Sequence, residues 1–169
     1  LSYHRLFDHE AELVGAKPSE VVLMNALTVN LHLMMVSFYR PEGKRFKIMM
    51  EAGAFPSDQY AVESQLKFHG YTYEEGLIEL KPREGEHTLR TADIIHAIET
   101  HEDEIALVLL PGIQYYTGQW FDMEAITKAT HGAGAKMGWD CSHATGNVPM
   151  KMHEWNVDFA VWCTYKYMN

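Results

Sequence analysis

Cysteine is scarce: Cys141 and Cys163 are the two thiols in 169 residues. A pair cannot make a disulfide framework. Both sit in apolar, strand-like surroundings, so they are expected to be buried and reduced in a cytoplasmic protein. Basic charge is short as well. Fourteen lysines and arginines face 23 aspartates and glutamates, for a formal net charge of −9, and no Lys/Arg cluster occurs. Such a chain is poorly suited to grip a phosphate backbone, which argues against nucleic acid as a partner. No uninterrupted apolar run nears the roughly 20 residues that cross a bilayer, so no membrane partner is expected. The opening Leu1-Ser2-Tyr3-His4-Arg5 does not read as a secretory signal. Ten histidines are scattered without H-E-x-x-H, and C-x-x-C is missing, so no metal site is expected. Repeats, low-complexity tracts and linkers are absent too, which leaves one domain.

What is present is a core: 47% of the residues are apolar and 12% aromatic, which excludes a disordered tail. Residues 6–14 read as a helix stopped by Gly15. Residues 25–38 read as a longer helix with apolar residues on several faces, expected to lie buried between layers. A short apolar strand is expected at 46–51. Asp58 is expected to cap a helix over 60–69 ended by Gly70, and Thr91 to cap another reaching Thr100. Further strands are expected at 105–110, 137–139 and 157–163, with a helix at 123–130 before Gly132 and Gly134. Continuous apolar strands separated by helices indicate an α/β fold, a mostly parallel sheet with helices on both faces. Right-handed crossovers then bring the carboxyl ends of the strands to one edge, where ligands of such sheets bind.

The residues that follow the strands are chemically loaded. Phe55-Pro56-Ser57-Asp58 follows the first strand, and Pro111-Gly112 with Tyr115-Tyr116-Thr117-Gly118-Gln119 follows the second. The third delivers Asp140-Cys141-Ser142-His143, and the last Thr164-Tyr165-Lys166. Singly, each has a bland explanation: a lysine at a strand end, an aspartate in a turn, a structural histidine, rim aromatics. Jointly they match the needs of pyridoxal 5'-phosphate (PLP). That cofactor needs a lysine for the imine, a carboxylate facing the pyridine nitrogen, an aromatic face on the ring, and a helix start with hydroxyls for the phosphate. The lysine is expected in an apolar setting, where lost solvation lowers its pKa.

Phe-Pro-Ser-Asp at 55–58, Tyr-Tyr-Thr-Gly-Gln at 115–119, Asp-x-x-His at 140–143 and Tyr-Lys-Tyr at 165–167 together resemble kynureninase, in order and spacing. Residues 25–30 and 81–85 resemble it too, so the likeness runs along essentially the whole chain. The resemblance implies the three-layer α/β/α large domain of fold-type I PLP enzymes over residues 1–169, a segment without the C-terminal small domain. It implies hydrolytic Cβ–Cγ cleavage of L-kynurenine, or of 3-hydroxykynurenine, to an anthranilate and L-alanine, by a homodimer.

The roles follow position by position. Lys166 would be the Schiff-base lysine and a proton carrier. Asp140 would pair with the pyridine nitrogen, with Asp58 beside it, and Phe55 would stack on the ring. His143 would lie on the ring side opposite the lysine. Leu27 and Thr28 would meet the phosphate at their helix start, Tyr165 would donate to the phosphate or serve as a proton donor, and Ser57 would belong to the same cofactor-binding set. The chain departs from the family at Pro111, where animal-type kynureninases carry serine; proline can offer only packing or a carbonyl. A cysteine desulfurase-like PLP enzyme is the nearest alternative, but that group has histidine before its lysine where this chain has Tyr165. A non-catalytic domain of the same fold is a second.

Overall fold

The computed structural model describes residues 3–168, with side chains from Leu6 onward. Five strands form one sheet in the order β2-β1-β3-β4-β5, and every pairing is parallel. They are β1 (Lys47–Glu51), β2 (Leu77–Leu80), β3 (Ile105–Pro111), β4 (Lys136–Asp140) and β5 (Phe159–Val161). The helices are α1 (Tyr3–Val14), α2 (Leu27–Phe38), α3 (Pro56–Phe68), the single turn α4 (Tyr73–Gly76), α5 (Thr91–Thr100) and α6 (Met123–Gly132).

Strand pleating sorts the core into two layers, because successive side chains point to opposite faces. Met49, Val108, Leu110, Met137 and Trp139 share one face with Ala11 and Val14 of α1, Ile94 and Ile98 of α5, and Ile126 of α6. Their chain neighbours Ile48, Met50, Leu107 and Leu109 pack on the other face with Leu31 and Met35 of α2 and Val62 and Leu66 of α3. The expected α/β/α sandwich is therefore present. Central β3 carries it: residues 105–110 are all buried, and each large side chain there contributes about 1.5–3 kcal/mol.

Several local expectations need correction. Asp58 does not cap α3. The helix starts earlier, with Phe55 at the cap position and Pro56 in the first turn, where a missing N–H costs nothing. That puts Asp58 inside the first turn and turns it toward the core. Thr91 likewise is the first residue of α5 rather than its cap, which is Arg90. Helix α2 is not buried on all sides: Val29, Leu33 and Val36 form an exposed outer stripe. The last strand is three residues, not seven; just before its start the Asp158 carboxylate takes the Met137 N–H (2.8 Å) that a ladder carbonyl would otherwise accept. Strand β2 has no counterpart in the sequence reading. Its four residues, Leu-Ile-Glu-Leu, become a strand only by pairing with β1.

Candidate functional site

Because the strands run the same way, the carboxyl ends of β1, β3, β4 and β5 open onto one cleft of about 1250 Å³. Its lining includes Leu27, Thr28, Phe55, Ser57, Asp58, Asp140, His143, Tyr165 and Lys166. The nine positions singled out from the sequence, up to 139 apart in the chain, thus lie on one surface.

The floor is acidic. Asp140 ends β4 and is 6% exposed. Its backbone is clamped by its neighbours: its carbonyl accepts from Gly112 N–H at 2.8 Å, and the next amide, of Cys141, donates to Val161 at 2.7 Å. On its side chain, Oδ1 accepts from both Ser142 N–H (2.8 Å) and Ser142 Oγ–H (2.5 Å). Asp58 is equally buried and close enough to Asp140 for the two carboxyls to interact. Burial, then the neighbouring Asp140 charge and hydrogen bonding between the two groups, push the Asp58 carboxyl up to about 9. A third carboxylate, Glu51 at the end of β1, lines the same cleft and is raised to about 8, chiefly by burial. Among the described residues none of the three carboxylates is in an ion pair. Two buried carboxyls in contact with no protein cation fit a ligand that brings a positive charge.

The walls are aromatic and apolar. The Phe55 ring meets Tyr115 edge-on, centroids 5.2 Å apart at 88°. Gln114 orients that loop: its side-chain carbonyl accepts from the N–H groups of Tyr116 and Thr117 (2.6 and 2.9 Å), and its amide reaches the Gly53 carbonyl at 3.3 Å. Pro111 closes β3 opposite Asp140 and lines the cleft. At one end of the cleft the first turn of α2, with Leu27 and Thr28, carries no acidic side chain and no side-chain cap, which leaves its amides for an anion.

Lys166 differs from the expectation. It is exposed, its Nζ 5.7 Å from the Tyr165 ring centroid, and no apolar pocket surrounds it. The reason is positional: β5 is the edge of the sheet, and no described element covers the turn that follows it. His143 is partly buried, and its imidazole is held below the ordinary histidine value, first by burial and then by the Lys166 charge, with Asp140 opposing. Both cysteines are free and buried, as expected. Ser142, Glu51 and Gln114 were not anticipated. For Glu51 the signal existed: a lone acid at the carboxyl end of a buried apolar run, as at Asp140. For Ser142 and Gln114 there was none beyond turn-forming composition.

Residues 8–169 match the aminotransferase class-V family. The chain belongs to that family. Among curated relatives it is 62% identical to the kynureninase of Myxococcus xanthus over 170 aligned residues, all of this chain and 40% of that protein. To the kynureninase of Christiangramia forsetii it is 60% identical, over 99% of this chain and 40% of the relative. To that of Nematostella vectensis it is 61% identical, over 94% and 34%. The chain therefore spans about two fifths of the length of such relatives.

Among solved structures it superposes on a cysteine desulfurase from Thermococcus onnurineus with a TM-score of 0.75 at 18% identity, covering 97% of this chain and 39% of that one. A C-DES variant with glycine covalently linked to its PLP cofactor gives 0.76 at 14% identity, covering 97% and 42%. At such identities these likenesses show the fold alone, and they agree with this class-V member's parallel sheet. Among the described residues of this class-V chain no helix is long and apolar enough to cross a membrane, and no group of histidine, cysteine, aspartate or glutamate side chains is arranged to hold a metal ion.

Proposed function

We propose that the chain is the PLP-binding large-domain segment of a kynureninase, whose C-terminal small domain lies outside these 169 residues. The observation that carries this is the buried Asp58–Asp140 pair, without a protein cation, on the floor of the cleft that Lys166 borders. The identity of about 60% with kynureninases supports kynurenine as the substrate from among PLP chemistries.

The residues fit the cofactor. Asp140, held by Ser142, would face the ring nitrogen and keep it protonated, with Asp58 sharing the proton balance of that floor. Phe55, braced by Tyr115, would lie against the ring, with His143 on the opposite face from Lys166. The α2 amides at Leu27 and Thr28, with Ser57 and the Tyr165 hydroxyl, would hold the phosphate. When bound, PLP supplies a conjugated cationic ring that draws electrons away from the substrate α-carbon. Lys166 would bind the cofactor through its amine, and afterwards take the proton from the substrate Cα and return one there. Tyr165, the residue before it, would donate a proton at Cβ as the Cβ–Cγ bond breaks. The net reaction is L-kynurenine plus water to anthranilate plus L-alanine, or the same reaction of the 3-hydroxy substrate.

A homodimer accords with the exposed apolar stripe of α2 beside the cleft, and a cytoplasmic location with two free buried thiols. The test is an absorbance spectrum of the full-length protein with PLP, before and after L-kynurenine, with L-cysteine in parallel. A visible PLP band that changes with kynurenine as anthranilate appears is the expected result. A band that responds to cysteine alone transfers the assignment to desulfurase chemistry. A folded full-length protein with no band leaves a non-catalytic module of this fold.

A further inference from the structure

The Tyr-Lys-Tyr triplet contains a tyrosine with no task so far. Tyr167 does not line the cleft, but its Oη lies 3.0 Å from His143 Nδ1, and the two rings meet at 67° with centroids 5.9 Å apart. His143 does line the cleft, and its other nitrogen, Nε2, has no hydrogen-bond partner among the described residues. We propose that Tyr167 is the positioning residue for His143: its hydroxyl donates to Nδ1, so the single ring proton sits on Nε2, the nitrogen left for the cleft's occupant. The proposal rests on the reading of the cleft as the PLP site.

Two features support that direction of donation. A neutral imidazole nitrogen accepts better than a phenol oxygen, and a phenol donates readily. His143 is kept in its neutral, accepting form by burial and by the Lys166 charge, while Asp140 pulls the other way; with Tyr167 these are the ionisable groups that act on it. The partners are also seated rather than drifting. Asn147 Nδ2 holds the His143 carbonyl at 3.0 Å. Gly146, at φ +78°, lets the turn carrying Tyr167 come so close that a Cβ there would stand 3.1 Å from the Tyr167 carbonyl oxygen. Since Tyr167 follows Lys166 directly, the bond ties the orientation of the histidine to the lysine's own turn.

The test uses full-length protein, free of cofactor and labelled with ¹⁵N-histidine. Wild type is compared with Tyr167→Phe, which keeps the ring and removes the hydroxyl; His143→Gln assigns the resonances. Wild type is expected to show widely separated Nδ1 and Nε2 shifts with the proton on Nε2. In Tyr167→Phe that preference should fall on the order of fivefold, the ratio one net hydrogen bond supplies. Identical separations in the two proteins would overturn the proposal, and so would a wild type protonated at Nδ1, which needs no variant to observe. In the loaded enzyme kcat for kynurenine should drop about tenfold, the scale of an orienting partner's loss, with KM little changed; an unaltered kcat counts against it. The nitrogen shifts are read without PLP, so a wild type that takes up no PLP sinks the cofactor reading separately.

Discussion

At Asp58 burial has a direct consequence for stability. Its carboxyl is pushed to about 9 in the fold, while the unfolded chain releases that proton near the ordinary 3.8. The folded state therefore holds a proton that the unfolded state has lost, and stability falls as pH rises between those two values. The cofactor-free full-length protein should melt at progressively lower temperature from about pH 5 to pH 9. Asp58→Asn, neutral throughout, should reduce that slope and leave the part due to Glu51; an unchanged slope would mean the pair is not strained. Gly146 offers a second check at this scale. Its φ of +78° disfavours any side chain, and a Cβ would press on the Tyr167 carbonyl. Gly146→Ala should cost about 1–2 kcal/mol in urea unfolding, and more if the following turn cannot move. Asp140 was legible from its place at a strand end. Ser142's hold on it was not, because a serine two residues after an aspartate is common to many turns.

At the scale of elements, the short edge strand depends on side chains that replace ladder contacts. Asp158 accepts from the Met137 N–H at 2.8 Å, His131 Nε2 at 2.7 Å and Lys136 Nζ at 2.8 Å, fastening the start of β5 to β4 and α6. Asp158→Ala leaves a buried amide unpaired and should cost about 1–3 kcal/mol, with amide exchange of Met137 accelerated. Beside it, Gly138 pairs with Phe159, and any Cβ at 138 would overlap the Phe159 ring. Gly138→Ala should lower stability by about 1–3 kcal/mol, and adding Phe159→Leu should recover part of the loss. Here the long apolar strands and the amphipathic α5 and α6 were readable from periodicity. The brief β2 was not, since Leu77–Leu80 acquires its conformation from β1 and carries no period of its own.

For the molecule as a whole, the open side of the cleft governs what can be measured. Lys166 stands exposed past the edge strand, and the chain is about two fifths the length of its kynureninase relatives. The 169 residues alone are expected to show no turnover of kynurenine, whereas the full-length protein should. Lys166→Ala in that full-length protein should abolish turnover and the visible PLP band while leaving far-UV circular dichroism unchanged. Residual turnover near wild type would remove Lys166 from its role.

The alternation of buried strands and helices, and the identity of the groups at each strand end, followed from the residues themselves, because apolar periodicity and residue type are local properties. Tertiary structure decided the remainder. It set Asp58 inward against Asp140 and gave His143 a tyrosine partner 24 positions away. Each of these depends on which distant atoms approach one another, and distance between strand ends is a property of the packed sheet rather than of any stretch of chain.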